Sequence, residues 1–118
     1  MTARETIEGY LEAVRLGRAW DGWLADDVVF TSLVSPNKVI DGKPGVTQAL
    51  RRFYGMVNDL AVNSVVADSD RAIALTRYRL QPPGDKPSFD SDVAESFVVN
   101  NGKITEFKIC FDSAPYPR

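Results

Sequence analysis

Four side chains have the types and positions to act on a small molecule: Tyr10, Tyr54, Arg77 and Glu95. Glu95 stands in an alternating run in which Val93, Glu95, Phe97 and Val99 share one face of a strand. A carboxyl turned into an apolar face either keeps its proton and donates a hydrogen bond, or pairs with a cation and stays ionised. Arg77 is the candidate cation, because alternation puts it on one face with Ile73 and Leu75. A register one residue out would instead put Glu95 in solvent. Tyr10 is the one polar tip in the helical stripe Ile7, Tyr10, Leu11 and Val14, and serves either as a core aromatic or as a hydroxyl donor to a ligand. Tyr54 has the same two readings on a later helix. Ser32 shares a face with Val28, Phe30 and Val34; without a base serine is no nucleophile, and the sequence has no histidine, so a place in a pocket lining suits it better.

These side chains need elements to hold them. Thr2-Ala3-Arg4-Glu5 fits a capping box, and the spacing predicts a helix over about 3–16, ended by Gly17. Ala19–Ala25, with Trp20 and Trp23, reads as a second short helix, and Asp26-Asp27 as a turn. Val28–Val34 reads as a strand, broken by Ser35-Pro36-Asn37-Lys38, with a turn cluster at 41–45. Val46, Leu50, Phe53, Tyr54 and Val57 predict a third helix over about 45–58. Strands follow to about Ala67, then over Ala72–Leu80, Ser91–Val99 and Lys103–Asp112. Asn100-Asn101-Gly102 joins the last two as a hairpin, since Asn-Gly tolerates positive φ. Thr105, Phe107, Ile109 and Phe111 are then expected on the pocket face, with Cys110 outside. The tail from Ala114 to Arg118 carries two prolines and cannot extend the strand. Helices early and antiparallel strands late argue an α+β fold, three N-terminal helices packed on a curved, mostly antiparallel sheet.

Composition narrows the function. A chain of 118 residues with 44% hydrophobic and 25% charged residues is expected to form one domain over 1–118. A net charge of −2, with no basic run longer than Arg51-Arg52, argues against nucleic acid and acidic membrane surfaces as partners. There is no apolar run of membrane-spanning length and no apolar leader after Met1, so a cytoplasmic location is expected. One cysteine and no histidine argue against a zinc or redox-metal site; no metal and no cofactor are expected.

The order of elements, with Gly9-Tyr10-Leu11-Glu12-Ala13-Val14, Leu24-Ala25-Asp26-Asp27-Val28, Gly42-Lys43-Pro44-Gly45-Val46, Leu50-Arg51-Arg52-Phe53-Tyr54 and Asn101-Gly102-Lys103-Ile104 leading to Phe111-Asp112, resembles the NTF2-like (SnoaL-like) superfamily. Within it the sequence resembles ketosteroid isomerase. That resemblance implies a cone-shaped fold and a site in which a tyrosine and a protonated acid hold an oxyanion. Tyr10 resembles the oxyanion tyrosine, Tyr54 a supporting tyrosine, and Glu95 the protonated acid with one more methylene. Ser32 stands where the general base would be, and serine has no pKa near neutrality with which to take a carbon-bound proton. Arg77 and Arg79 stand where the resemblance implies apolar side chains. The triad of the related limonene epoxide hydrolases is incomplete, because Ile109 occupies one of its carboxylate positions.

The resulting expectation is a small-molecule protein of the isomerase, cyclase or dehydratase kind. Tyr10 and Glu95 would polarise an oxygen of an apolar carbonyl substrate held by Phe30, Ser32, Tyr54, Arg77, Phe97, Phe107 and Ile109. The alternative is a non-catalytic binding protein for an apolar, anionic ligand with Arg77 as counter-ion. Ala72, Ala74, Thr76, Tyr78, Ile104 and Cys110, assigned to the outer sheet face, are too apolar for open water, so a homodimer is expected.

Overall fold

Thr2 opens the first helix as the sequence predicts. Its hydroxyl accepts from the Glu5 N–H (3.1 Å) and the Glu5 carboxylate accepts from the Thr2 N–H (2.9 Å), closing a capping box. The computed structural model describes residues 1–34 and 36–116; Ser35 in the expected break, and Pro117 and Arg118 of the expected tail, lie outside them. The chain runs α1 (Ala3–Arg15), a 3-10 turn (Trp20–Trp23), β1 (Leu24–Ser32), β2 (Lys38–Asp41), α2 (Lys43–Tyr54), β3 (Val57–Asp68), β4 (Arg71–Leu80), β5 (Phe89–Asn100) and β6 (Lys103–Phe111). The strands form one curved mixed sheet in the order β2-β1-β6-β5-β4-β3. Only β1 and β6 pair in parallel; every other pair is antiparallel. Both helices lie on the inner face, α1 over β3 to β5 and α2 over β1.

The described chain has two α-helices rather than three. The stretch around Trp20 and Trp23 is too short to hold a helix unaided and forms a single 3-10 turn. Leu24 is instead drawn into pairing with Ile104, which carries Ala25, Asp26 and Asp27 into β1. Trp23 packs its ring across Gly9, where a Cβ would lie 2.8 Å from Cζ2 and closer still to Cη2. Gly9→Ala is therefore expected to destabilise the fold by about 1–3 kcal/mol, the usual range for overpacking, measured as a lower urea midpoint at unchanged slope. An unaltered midpoint would show that Trp23 can move aside freely.

Helix α2 stops at Tyr54, earlier than the periodicity predicts, because Gly55 closes it and Val57 already belongs to β3. Between the expected break at Lys38 and the expected turn cluster from Asp41 lies a short edge strand, β2, that the sequence reading did not assign; it pairs with β1 from Val29↔Asp41 to Ser32↔Lys38. The Asn101-Gly102 turn has φ of 52° and 72°, the doubly positive geometry of a two-residue hairpin loop.

The largest departure is the orientation of β4. Ala72, Ala74, Thr76, Tyr78 and Leu80 are buried on the inner face, and Ile73, Leu75, Arg77 and Arg79 face outward. Pairing fixes this: Ala74 lies directly opposite Glu95 and Ala72 opposite Phe97, and opposed residues share a face. The reverse would bury two guanidiniums in an apolar interior. Outside, Arg77 bonds Asp92 (2.8 Å) and Arg79 bonds Asp90 (3.3 Å) across the strands. A second parity change falls on β6, where a bulge opposite Val98 and Val99 places Ile104 inside and leaves Thr105 bonding the Val98 carbonyl (3.2 Å). So five of the six side chains assigned to the outer face are interior, and Cys110 alone of them is exposed. The apolar residues actually exposed on the outer face include Val66, Ile73 and Leu75.

Candidate ligand site

Between α2 and the inner sheet face lies a cavity of about 160 Å³. Phe30, Leu50, Phe53, Phe107, Ile109 and Phe111 supply apolar walls, and Tyr54, Tyr78 and Glu95 supply the polar groups. A volume near 150 Å³ suits one benzene ring, so a four-ring steroid does not fit the cavity in this form.

Glu95 enters on β5 and is 2% exposed. Thr76 donates to its Oε2 at 2.7 Å, and the Tyr78 hydroxyl reaches both carboxyl oxygens at 3.0 Å. Burial raises its pKa, the two hydroxyl donors pull back part of the rise, and the net value is about 7. Thr76 also has the Val93 carbonyl within 3.2 Å, so its single proton can turn away from Oε2 when the carboxyl takes up a proton. Burial likewise pushes the Tyr78 phenol well above its ordinary value, and the Glu95 charge adds to this, so Tyr78 stays a donor. A carboxyl poised near neutrality can both give and accept a proton at working pH.

The second polar group is a pair of tyrosines. The Tyr10 and Tyr54 hydroxyls are 2.6 Å apart, with either able to donate. Tyr10 is fully buried, edge-on to Phe97 and Phe107 at 6.1 and 6.0 Å, and is not part of the cavity wall. Tyr54 is partly exposed as a residue and does line the cavity, while burial lifts its phenol well above the ordinary value. Tyr54 therefore faces the cavity and Tyr10 stands behind it. With Tyr10 donating backward to Tyr54, the Tyr54 proton is free to point at a ligand.

The remaining expected residues divide clearly. Phe30, Phe107 and Ile109 line the cavity with Tyr54 and Glu95. Phe97 is a fully buried packing residue against Phe107 (4.5 Å) and is not in the wall. Ser32 sits at the end of β1, where its Oγ accepts from the Val34 N–H (3.4 Å), and is not in the wall. Arg77 is on the opposite face of the sheet, so it supplies no counter-ion, and among the described residues no arginine or lysine lines the cavity. Tyr78 and Thr76 were missed. The signal was present in the binary pattern, because one face of β4 is free of charge and the other carries three arginines, Arg71, Arg77 and Arg79. Among the described residues no three His, Cys, Asp or Glu side chains gather into a metal-holding group, and no helix is long and apolar enough to cross a membrane.

Several solved structures share this architecture. A protein from Kribbella flavida superposes with a TM-score of 0.81 at 23% identity, over 95% of this chain and 88% of the other. A candidate SnoaL-like polyketide cyclase from Mesorhizobium loti gives 0.76 at 22% identity, over 93% and 99%. An LEH-like epoxide hydrolase from M. tuberculosis gives 0.77 at 24% identity, over 93% and 82%. At these identities the likeness speaks for the NTF2-like α+β fold alone. No curated protein is significantly similar to the chain in sequence. The profile of the SnoaL-like domain matches residues 7–107, which is most of the chain, and the protein belongs to the SnoaL-like family.

Proposed function

We propose that this SnoaL-like protein binds a small, neutral, oxygen-bearing apolar molecule and moves a proton on it, as an isomerase, cyclase or dehydratase does. The observation that carries the reading is Glu95: buried in the cavity wall, held by two hydroxyl donors, with a pKa of about 7. Ser32 leaves the usual base position without a base, so Glu95 itself takes that part. In its ionised form it accepts a proton from the carbon beside a carbonyl, the electron pair moves to the carbonyl oxygen, and the Tyr54 hydroxyl, backed by Tyr10, hydrogen-bonds that oxygen. Protonated Glu95 then returns the proton to the same or a neighbouring carbon, which restores the carboxylate. The sequence reading has Tyr10 and Glu95 both polarising the oxygen; in this proposal Glu95 is instead the base, and Tyr10 acts on the oxygen through Tyr54.

The test is deuterium wash-in at the α-carbons of a single-ring ketone such as cyclohexenone, followed by NMR in heavy water. Wild type is expected to accelerate exchange saturably; Glu95→Gln is expected to abolish the acceleration. Tyr54→Phe is expected to weaken binding of phenol, as an analogue of the enol, by about tenfold, the loss of one good hydrogen bond. Saturable binding without exchange would favour the second reading, a non-catalytic carrier, which the single titratable carboxyl in the wall supports. Among the described residues no arginine or lysine lines the cavity, so the neutral ligand is the one proposed in both readings. The homodimer is proposed through the outer sheet face, now on Val66, Ile73 and Leu75.

A further inference from the structure

We propose that Tyr116, which lies outside the cavity, limits the site to single-ring ligands by pinning Phe111 in place. The proposal takes the cavity as the ligand site, as above. Phe111 ends β6 and forms part of the wall. Its ring packs on Tyr116, itself absent from the lining, with centroids 4.8 Å apart. Tyr116 also meets Phe89 edge-on at 5.0 Å, and its hydroxyl lies 2.7 Å from Oγ of buried Ser91. Phe89 and Ser91 continue the inner row of β5 that holds Val93 and Glu95. Tyr116 is therefore docked on the same face as the cavity, next to its end wall.

The chain that delivers Tyr116 is otherwise bound only to itself. The Ala114 N–H donates to Asp112 Oδ1 (3.0 Å) and the Tyr116 N–H to the Ser113 carbonyl (3.1 Å), while residues 112–115 are exposed. Among the described residues, the tail's hold on the domain is one ring and one hydroxyl. A segment held this sparingly opens easily. With Tyr116 seated, its ring backs Phe111 on the side away from the cavity, and a cavity of about 160 Å³ has room for one ring. With Tyr116 gone, that wall can yield.

Benzene and naphthalene titrations, read by NMR shifts of wall methyl groups, test this without requiring any hydrogen-bond donor. Wild type is expected to bind benzene at least about tenfold more tightly than naphthalene. In Tyr116→Ala naphthalene is expected to approach benzene to within a few-fold, and Tyr116→Phe, which keeps the ring, is expected to retain the wild-type preference. A merely structural role would weaken both rings alike and leave their ratio unchanged. The proposal is overturned if wild type accepts naphthalene as well as benzene, if Tyr116→Ala keeps the preference, or if neither ring binds to either protein. Failure of phenol to depend on Tyr54 would sink the proton-transfer reading while leaving this ratio untouched.

Discussion

Between about pH 4.5 and pH 8 the wild-type protein is expected to lose roughly 3 kcal/mol of stability relative to Glu95→Gln. The cause is the difference between the folded carboxyl, which holds its proton up to about 7, and the ordinary value of 4.5. Between those values the folded state binds more protons than the unfolded state, so each rise in pH favours unfolding. The contribution is fully present below the ordinary value and is lost as pH rises through about 7, the reverse of the usual carboxylate in an ion pair. Exposed carboxylates such as Glu5 and Asp92, held below their ordinary values by their partners, act in the opposite sense at lower pH and cancel in the comparison with the variant. Urea titrations of both proteins at unit pH steps read the difference directly. Parallel stability curves would mean that Glu95 ionises freely and is not the poised group of the cavity. The same window bears on function, because an ionised base is needed for proton abstraction: activity should rise through about pH 7 while the fold weakens.

Phe107→Ala is expected to cost about 3–5 kcal/mol. The ring is 1% exposed and meets Tyr10, Phe30 and Phe97 at 6.0, 5.3 and 4.5 Å, so it joins α1, β1, β5 and β6 at one point. It also forms part of the cavity wall, and the void left by its removal would open into space that is already empty. That makes the loss recoverable. Benzene binding only the folded state should return about 1–3 kcal/mol at concentrations well above its dissociation constant. The measurement is the urea midpoint with and without benzene, at unchanged slope. A loss below about 1 kcal/mol would show that the neighbouring rings close in, and indifference to benzene would show that the enlarged void collapses.

Much of this molecule was legible in local pattern. The capping box at Thr2 and Glu5, the Asn-Gly hairpin and the inward row of Val93, Glu95, Phe97 and Val99 are each set by residues close in sequence. Helical and alternating periods carry their own direction, so the buried face of α1 and of β5 could be read without knowing their partners. Glu95 was visible for the same reason, as a carboxyl out of place in an apolar row.

What could not be read depended on contacts distant in sequence. Alternation gives two faces to β4 but does not say which is inside; pairing Ala74 with Glu95 decides it, and with it the removal of Arg77 from the site and the arrival of Tyr78 and Thr76. The bulge opposite Val98 and Val99 inverts the parity at Ile104, since one extra residue turns every earlier side chain to the other face. Leu24 leaves the expected second helix because Ile104, 80 residues further along the chain, offers it a partner. Which of two buried tyrosines meets the cavity is likewise a matter of packing: both lie on helix stripes, and only the docking of α2 over the sheet puts Tyr54 in front of Tyr10. The sequence by itself thus determined α1, α2, the longer strands and the presence of a buried carboxyl among rings. The tertiary structure decided which hydroxyls surround that carboxyl and how much room is left beside it, because both follow from strand register and helix docking rather than from any local run of residues.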